Sequence, residues 1–509
     1  MCDKQLSYPV FLRIILLILL FAAFAFGEKD FYLYTTLRGE MPGDAFSNVI
    51  GLGDINLDGY DDFAAAAWGW EADNYIKIYF GRDTLNEPFD TKANLRLVPE
   101  EQWYGFGQSM TVGDFNGDGV PDLVTGEPHH YGKVYVYFGG EDMDSIPDII
   151  MKSMCDYRFY GNVVANCGDI NGDGYDDLLI GDWPVGLSDD GFIYIHFGGS
   201  GFNDSPDYTF TREHIGVTCD GIGDINGDGY DDIIVGSIDH KVYLIFGHAY
   251  ADSITYIEIV ADSTNYDFGR HVAGIGDINN DSIPEYIISN GRDIFIYSGI
   301  SPDPIYTKEA SSAYIHNIDH PIDINSDGID DLVLLMEDTL AFVYFGKSDF
   351  DLDKPDHIIS LPRKNYPYYR SIGDINADGS PNLAFGAPGR FSTNGGSFEL
   401  TYGNVYIYAY GVYSDIKAEK IPETFSLSQN YPNPFNPATT ISFALSEPAH
   451  ITLNIYDITG RLVDQLVNQN TSAGYHTVTW DASRFTSGIY FVRMQAGDFV
   501  KTRKMAYVK

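Results

Sequence analysis

Asp169-Ile170-Asn171-Gly172-Asp173-Gly174-Tyr175-Asp176-Asp177, followed at once by Leu178-Leu179-Ile180-Gly181, is the stretch on which the fold turns. Its first nine residues fit the pattern Asp-x-Asn-x-Asp-Gly-x-x-Asp. With small departures the pattern occurs seven times, starting at Asp54, Asp114, Asp169, Asp224, Asp277, Asp323 and Asp374, about 46 to 60 residues apart. An interval of that length is one supersecondary unit. The loop therefore marks an architectural period as well as a concentration of acid.

The residues around each loop repeat too. A short apolar strand ending in Gly precedes it, as in Val112-Gly113, Ile222-Gly223 and Ile275-Gly276. A second apolar strand follows: Leu178-Leu179-Ile180, Ile233-Ile234-Val235 or Tyr286-Ile287-Ile288. After a turn comes a third strand of strong β-formers, such as Val134–Phe138, Val242–Phe246 and Val405–Tyr408, and then a weaker fourth, such as Asp148–Met151 or His357–Ser360. Four antiparallel strands at a fixed period are a propeller blade. The expected fold is all-β, a seven-bladed β-propeller followed by a small β-sandwich domain. The last repeat stops after its third strand near Tyr410-Gly411, and Phe31–Tyr34 precedes the first loop strand. That segment can supply the missing fourth strand and close the ring, which leaves few free strand edges.

The loop chemistry points to calcium. A hard dication takes six to eight oxygens. Positions one, three and five supply side-chain oxygens, position seven a backbone carbonyl and position nine a carboxylate. The sets are Asp54, Asn56, Asp58, Tyr60 and Asp62; Asp114, Asn116, Asp118, Val120 and Asp122; Asp169, Asn171, Asp173, Tyr175 and Asp177; Asp224, Asn226, Asp228, Tyr230 and Asp232. The remaining three are Asp277, Asn279, Asp281, Ile283 and Glu285; Asp323, Asn325, Asp327, Ile329 and Asp331; Asp374, Asn376, Asp378, Ser380 and Asn382. Up to seven Ca2+ sites are expected. The fifth loop is altered, with Ser282 for Gly and Glu285 at position nine. The seventh, ending in Asn382, has lost a charge and is expected to bind most weakly. The absence of His and Cys ligands argues against zinc. An EF-hand needs a Glu at position twelve and a following helix. Position twelve here is Ala65, Thr125 or Ile180, inside a strand. The alternative is a set of polar Asx turns that bind no metal.

Residues 31–411 resemble the FG-GAP repeats of the integrin alpha-subunit propeller. Phe106-Gly107 and Phe268-Gly269 match the Phe-Gly element, and Gly386-Ala387-Pro388 the Gly-Ala-Pro element, with Gly126-Glu127-Pro128 a near match. The resemblance implies a seven-bladed propeller with calcium between first and second strands. It does not extend to integrin leg domains, and the chain has no Arg-Gly-Asp.

The ends of the chain add an address. Lys4 and Arg13 with the apolar run Ile14–Phe26 and the small residues Ala23, Ala25 and Gly27 read as a signal peptide over 1–27; an uncleaved anchor is the alternative. The propeller is expected over 28–411, a polar linker over 412–423 and a C-terminal domain over 424–509. Asn430–Pro437, Ile455-Tyr456-Asp457, Gly460-Arg461, Ser487–Tyr490 and the basic end Lys501–Lys504 resemble the C-terminal sorting domain of the bacterial type IX secretion system. The resemblance implies that residues 424–509 engage that machinery and that the protein is secreted or held at the cell surface. Strands are expected at Thr440–Leu445, Ile451–Asp457, Tyr475–Trp480 and Ile489–Met494. A carbohydrate-binding sandwich is the alternative.

The formal net charge of −42 argues against a nucleic-acid partner, and no membrane span is expected in the mature chain. Cys155, Cys167 and Cys219 remain after export; Cys167 sits where other repeats have Leu52 or Ile222, so it reads as core. No Gly-x-Ser-x-Gly elbow, phosphate loop or His-Glu-x-x-His helix occurs, and the chain is read as a non-enzyme. His316 and His320 have a helical spacing with no meaning in a strand-rich region. Trp68, Trp70, His129, His130, Trp183 and Arg390 fall in second-to-third connections, on the face opposite the acidic loops. Surface binding or adhesion to an extracellular protein or glycan is the expected role. A polysaccharide-degrading enzyme using the same face, or a structural envelope component, are the alternatives.

Overall fold

The computed structural model describes residues 29–508 apart from 43, 69–72, 84–89, 102–104, 130–131, 154–157, 185–189, 262–266, 309–321, 338–339, 362–367, 389, 393–397, 401, 412–424 and five one- or two-residue gaps after 427. The signal segment 1–27, the linker 412–423, Trp70, His130, Cys155, His316 and His320 lie outside the described residues. Two compact units emerge, Met1–Asp415 and Ile416–Lys509.

The first unit is built of seven antiparallel sheets, six with four strands and one with three among the described residues, plus a two-stranded hairpin. In the third sheet Arg158–Asn166, Leu178–Pro184, Asp190–His196 and Tyr208–Glu213 lie side by side in chain order. The acidic loop joins the first strand to the second in the six sheets whose first strand is described. The sixth sheet has three strands among the described residues, and Ile322 bridges Asp331 across its acidic loop. In the seventh, Asp30–Pro42 pairs antiparallel with Tyr402–Gly411, joining the two ends of the unit. The Phe31↔Tyr410 pairing matches the closure anticipated from the sequence.

The second strands explain why the sequence shows apolar runs rather than alternation. Leu178, Leu179 and Ile180 are all buried, because each sheet is covered on both faces by its neighbours. Seven apolar clusters result, one between each pair of successive sheets. Phe115, Val124 and Val136 of the second sheet pack with Val164, Leu178 and Ile180 of the third. Ile372, Ala384 and Ile407 of the seventh pack with Phe46, Val49 and Phe63 of the first. Each fully buried side chain of this size stabilises by about 1.5–3 kcal/mol, and no cluster survives without both sheets. Such a ring of twisted sheets is a β-propeller. Its axis holds a cavity of about 470 Å³ lined by the first-strand residues Gly51, Val112, Asn166, Gly221, Gly274 and Ser371 together with Ile322. Cys167 and Cys219 are free and buried in the cluster between sheets three and four, as a core reading requires.

The second unit is a two-sheet sandwich. Ser426–Leu427, Ala438–Leu445 and Gly474–Asp481 form one sheet; Leu462–Thr471, Ala449–Asp457, Gly488–Ala496 and Phe499–Tyr507 form the other. Trp480, Phe443, Leu453, Ile455, Val492 and Met505 fill the space between them. Strands at Leu462–Thr471 and Phe499–Tyr507 were not anticipated. Both are edge strands whose outward positions carry polar or basic residues, so their inward apolar residues (Val463, Leu466 and Val467; Phe499, Met505 and Tyr507) are interrupted and give a weaker signal than their neighbours. The Pro-rich entry turns under the sheet edge, where Phe435 is buried and its N–H donates to the Ala506 carbonyl at 3.0 Å.

Candidate functional site

Each acidic loop is folded by its own backbone amides. In the third, the Asp169 carboxylate accepts from the N–H groups of Gly172, Asp173 and Gly174 at 2.7, 2.9 and 2.8 Å. Asn171 Oδ1 accepts from Asp173 N–H at 2.8 Å, and Asp173 Oδ1 from Tyr175 N–H at 3.2 Å. Asp114 takes the amides of Gly117, Asp118 and Gly119 in the same way. Three acidic or amide side chains are thereby held against the loop's own backbone.

Position nine is different in kind. Asp177 is fully buried. One of its oxygens accepts Ile170 N–H at 3.0 Å and the other Gly198 N–H at 2.8 Å. It thus ties the loop to the end of the third strand. Asp62, Asp122, Asp232 and Asp331 take the corresponding Gly amides at 2.8, 3.0, 3.0 and 2.8 Å. Burial, with the nearby Asp173 and Asp169 charges, raises the Asp177 pKa to about 8; burial likewise raises Asp232 to about 7. A cation among these carboxylates removes the repulsion that contributes to such shifts.

The fifth and seventh loops depart as their sequences do. Asn280 and Ser282 hold φ of 61° and 70°, so the left-handed turn persists without glycine. Glu285 reaches further than an Asp: Asp277, Asp281 and Glu285 are the one acid group among the described residues whose ligand oxygens all lie within 4.8 Å of one another. The altered loop therefore has the most compact acid set. In the seventh, Asn382 Oδ1 accepts Ile375 N–H at 3.2 Å, while its buried amide nitrogen has no partner among the described residues. One of the two backbone contacts of position nine is kept there and the charge is lost.

At the opposite end of the sheets, Trp68 follows the second strand of sheet one and His129 that of sheet two, both half-buried. Trp183 is not in a connection: it lies within Leu178–Pro184, paired with Phe159, because that strand runs on past the Gly turn seen in other repeats. Arg390 and Phe391 begin the extra hairpin Arg390–Ser392 with Phe398–Leu400. His129 stands edge-on to Phe159, ring centroids 5.1 Å apart, and burial lowers its pKa to about 4. Arg158 lies 4.4 Å over the Phe192 ring and 2.8 Å from the buried Asp182 carboxylate. The structure thus gathers His129 and Trp183 around Phe159, with Arg158 next to Phe159 in the chain, and leaves Trp68 and Arg390 on other sheets. Phe159 and Arg158 were missed in the sequence because they open a first strand, away from any loop signal.

The FG-GAP repeat family matches residues 106–137, and the secretion system C-terminal sorting domain family matches residues 429–508. Integrin alpha-5 of Xenopus laevis is 28% identical over 40% of this chain and 20% of its own length. Phosphatidylinositol-glycan-specific phospholipase D of Homo sapiens is 31% identical over 38% of this chain and 25% of its own. The chain thus spans a quarter or less of these curated relatives. Among solved structures, PorZ, a bacterial surface component of the type IX secretion system of Porphyromonas gingivalis, aligns over 88% of this chain and 58% of its own with 14% identity and a TM-score of 0.38. No helix of the described residues is long and apolar enough to cross a membrane.

Proposed function

We propose, for a chain that carries integrin-like FG-GAP repeats and a type IX sorting domain and is exported to the bacterial surface or beyond, that it is a calcium-stabilised seven-bladed propeller binding an extracellular protein or glycan. The observation that carries this reading is the division of labour between the two ends of the sheets. One end repeats the same acidic loop seven times. The other brings His129 and Trp183 to Phe159, aromatic rings suited to contact with a ligand.

The loop residues fit a hard dication. Their side chains offer only carboxylate and amide oxygens, and the acids of the fifth loop already converge. Asp or Asn at positions one, three and five, with position nine behind them, would hold the ion. A bound calcium would supply positive charge that offsets their mutual repulsion.

A glycan and protein array probed with the mature chain tests the binding role. We expect captured ligands whose signal is lost in a Trp183→Ala, His129→Ala double variant. Ligands unaffected by that variant would remove the assignment of this face. Deleting residues 424–509 is expected to strand the protein in the periplasm of a type IX-competent cell; surface appearance of the truncated chain would refute the role of that segment.

A further inference from the structure

Position eight of the repeated loop alternates between two residue types. It is Asp61, Asp176, Asp231 and Asp330 in loops one, three, four and six, and Pro121, Pro284 and Pro381 in loops two, five and seven. The four aspartates share a contact outside their own loops. Each reaches back to the preceding sheet and accepts the backbone N–H of its position-one residue. Asp114 N–H donates to Asp176 at 2.9 Å, Asp169 to Asp231 at 2.8 Å, Asp277 to Asp330 at 3.1 Å, and Asp374 to Asp61 at 2.8 Å. The last of these crosses the ring closure between sheets seven and one.

The backbone makes room for the contact. A Cβ on Gly168 would lie 2.1 Å from the Asp231 carboxylate, and one on Gly373 would lie 2.4 Å from that of Asp61. At the junction of sheets six and seven, where position eight is Pro381, the residue before position one is Ile322 rather than glycine. At the proline junctions the ring of Pro121 or Pro284 packs toward Gly53 or Gly223 and offers no acceptor to the amide beyond.

We propose that the position-eight aspartates are positioning residues that couple calcium loading between neighbouring loops, and that the prolines interrupt the coupling. Asp231 lies between Tyr230 and Asp232, positions seven and nine of loop four. Ordering loop four therefore fixes Asp231, and Asp231 holds the position-one residue of loop three. Such outer contacts preorganise metal ligands, and the coupling works equally in both directions. The ring divides into three coupled runs: loops two, three and four; loops five and six; loops seven and one. The proposal rests on calcium in the loops.

Calcium titration of the mature chain, read by calorimetric binding and by melting temperature, tests it with Asp231→Ala, Asp231→Asn and Pro284→Ala, and with Asp61→Ala as a second latch. Asp231→Ala is expected to raise the half-saturating calcium of its run about tenfold, equivalent to about 1.4 kcal/mol and to one charge-assisted hydrogen bond. Its melting in chelator should change far less than its melting in calcium. Asp231→Asn, whose side-chain oxygen still accepts the amide, should restore most of the affinity, and Pro284→Ala should titrate as wild type. Equal losses of stability with and without calcium would make the aspartate merely structural and overturn the proposal. So would equal effects of Asp231→Ala and Pro284→Ala. A wild-type chain blind to calcium would remove the calcium reading itself, which distinguishes the two failures.

Discussion

The two ends of each sheet are built on different rules. At the acidic end, position one takes loop amides, position nine takes amides from two segments, and the pattern returns around the ring with the same partners. At the other end the residue at the corresponding turn varies: Glu127, Asp182, Ser237 and Ala387 occupy like places after the second-strand Gly or its equivalent. Repetition marks what every sheet needs to pack against the next. Variation marks where one sheet can differ from another without breaking the ring.

Four substitutions sharpen or break that contrast. The largest effect is expected at position nine. Asp177→Ala leaves the buried amides of Ile170 and Gly198 without their acceptor, at a cost on the order of 3 kcal/mol or more, measured by urea denaturation. A loss below about 0.5 kcal/mol would deny that this residue ties loop to strand.

Glu127→Gln probes the opposite end. Burial raises the Glu127 pKa from 4.5 to about 7, against the lowering effect of the Tyr135 hydrogen bond. The folded state therefore holds the proton more tightly than the unfolded chain. Its contribution is complete below about pH 4.5 and is lost as pH rises through about 7. Wild-type stability should fall across that window by a term on the order of 2 kcal/mol, and Glu127→Gln should remove the term. Because Glu127 lies in no acidic loop, the difference between wild type and Glu127→Gln should be the same in calcium and in chelator. A difference that vanishes in calcium would link the two ends.

Trp183→Ala should cost about 1 kcal/mol of stability or less, since Trp183 is half-buried, yet abolish ligand capture. The smallest effect is expected from Asn382→Asp in the seventh loop. Restoring the charge should tighten calcium binding there by a few-fold while lowering melting in chelator slightly, because Asn382 is fully buried and the new carboxylate would lie there without a cation. No change in calcium titration would mean that position nine serves the backbone alone.

The propeller was legible in the sequence because its period, its Gly-ended first strands and its apolar second strands all repeat, and because the deficit after Gly411 matched the surplus at Phe31. The sandwich was half legible. Leu462–Thr471 and Phe499–Tyr507 were hidden because edge strands carry polar and basic residues, and Lys501 to Lys504 read as a basic tail. Within the acidic loops, the residues that could face a cation stood out by type. Asp61, Asp176, Asp231 and Asp330 did not, since their partners lie one sheet away, and only ring geometry brings them together. Trp183 and Phe159 became neighbours for a similar reason, through strand register rather than spacing.

The repeated end is held to be a calcium-loaded belt, and scanning calorimetry of the mature chain in calcium and in chelator tests that most directly. Each site filled at a hundred times its Kd adds about 2.7 kcal/mol to the native state. With several sites filled, the melting temperature in calcium should stand well above that in chelator, with an intermediate value as calcium is titrated back. Superimposable melting curves in the two conditions would contradict a metal role for the acidic loops.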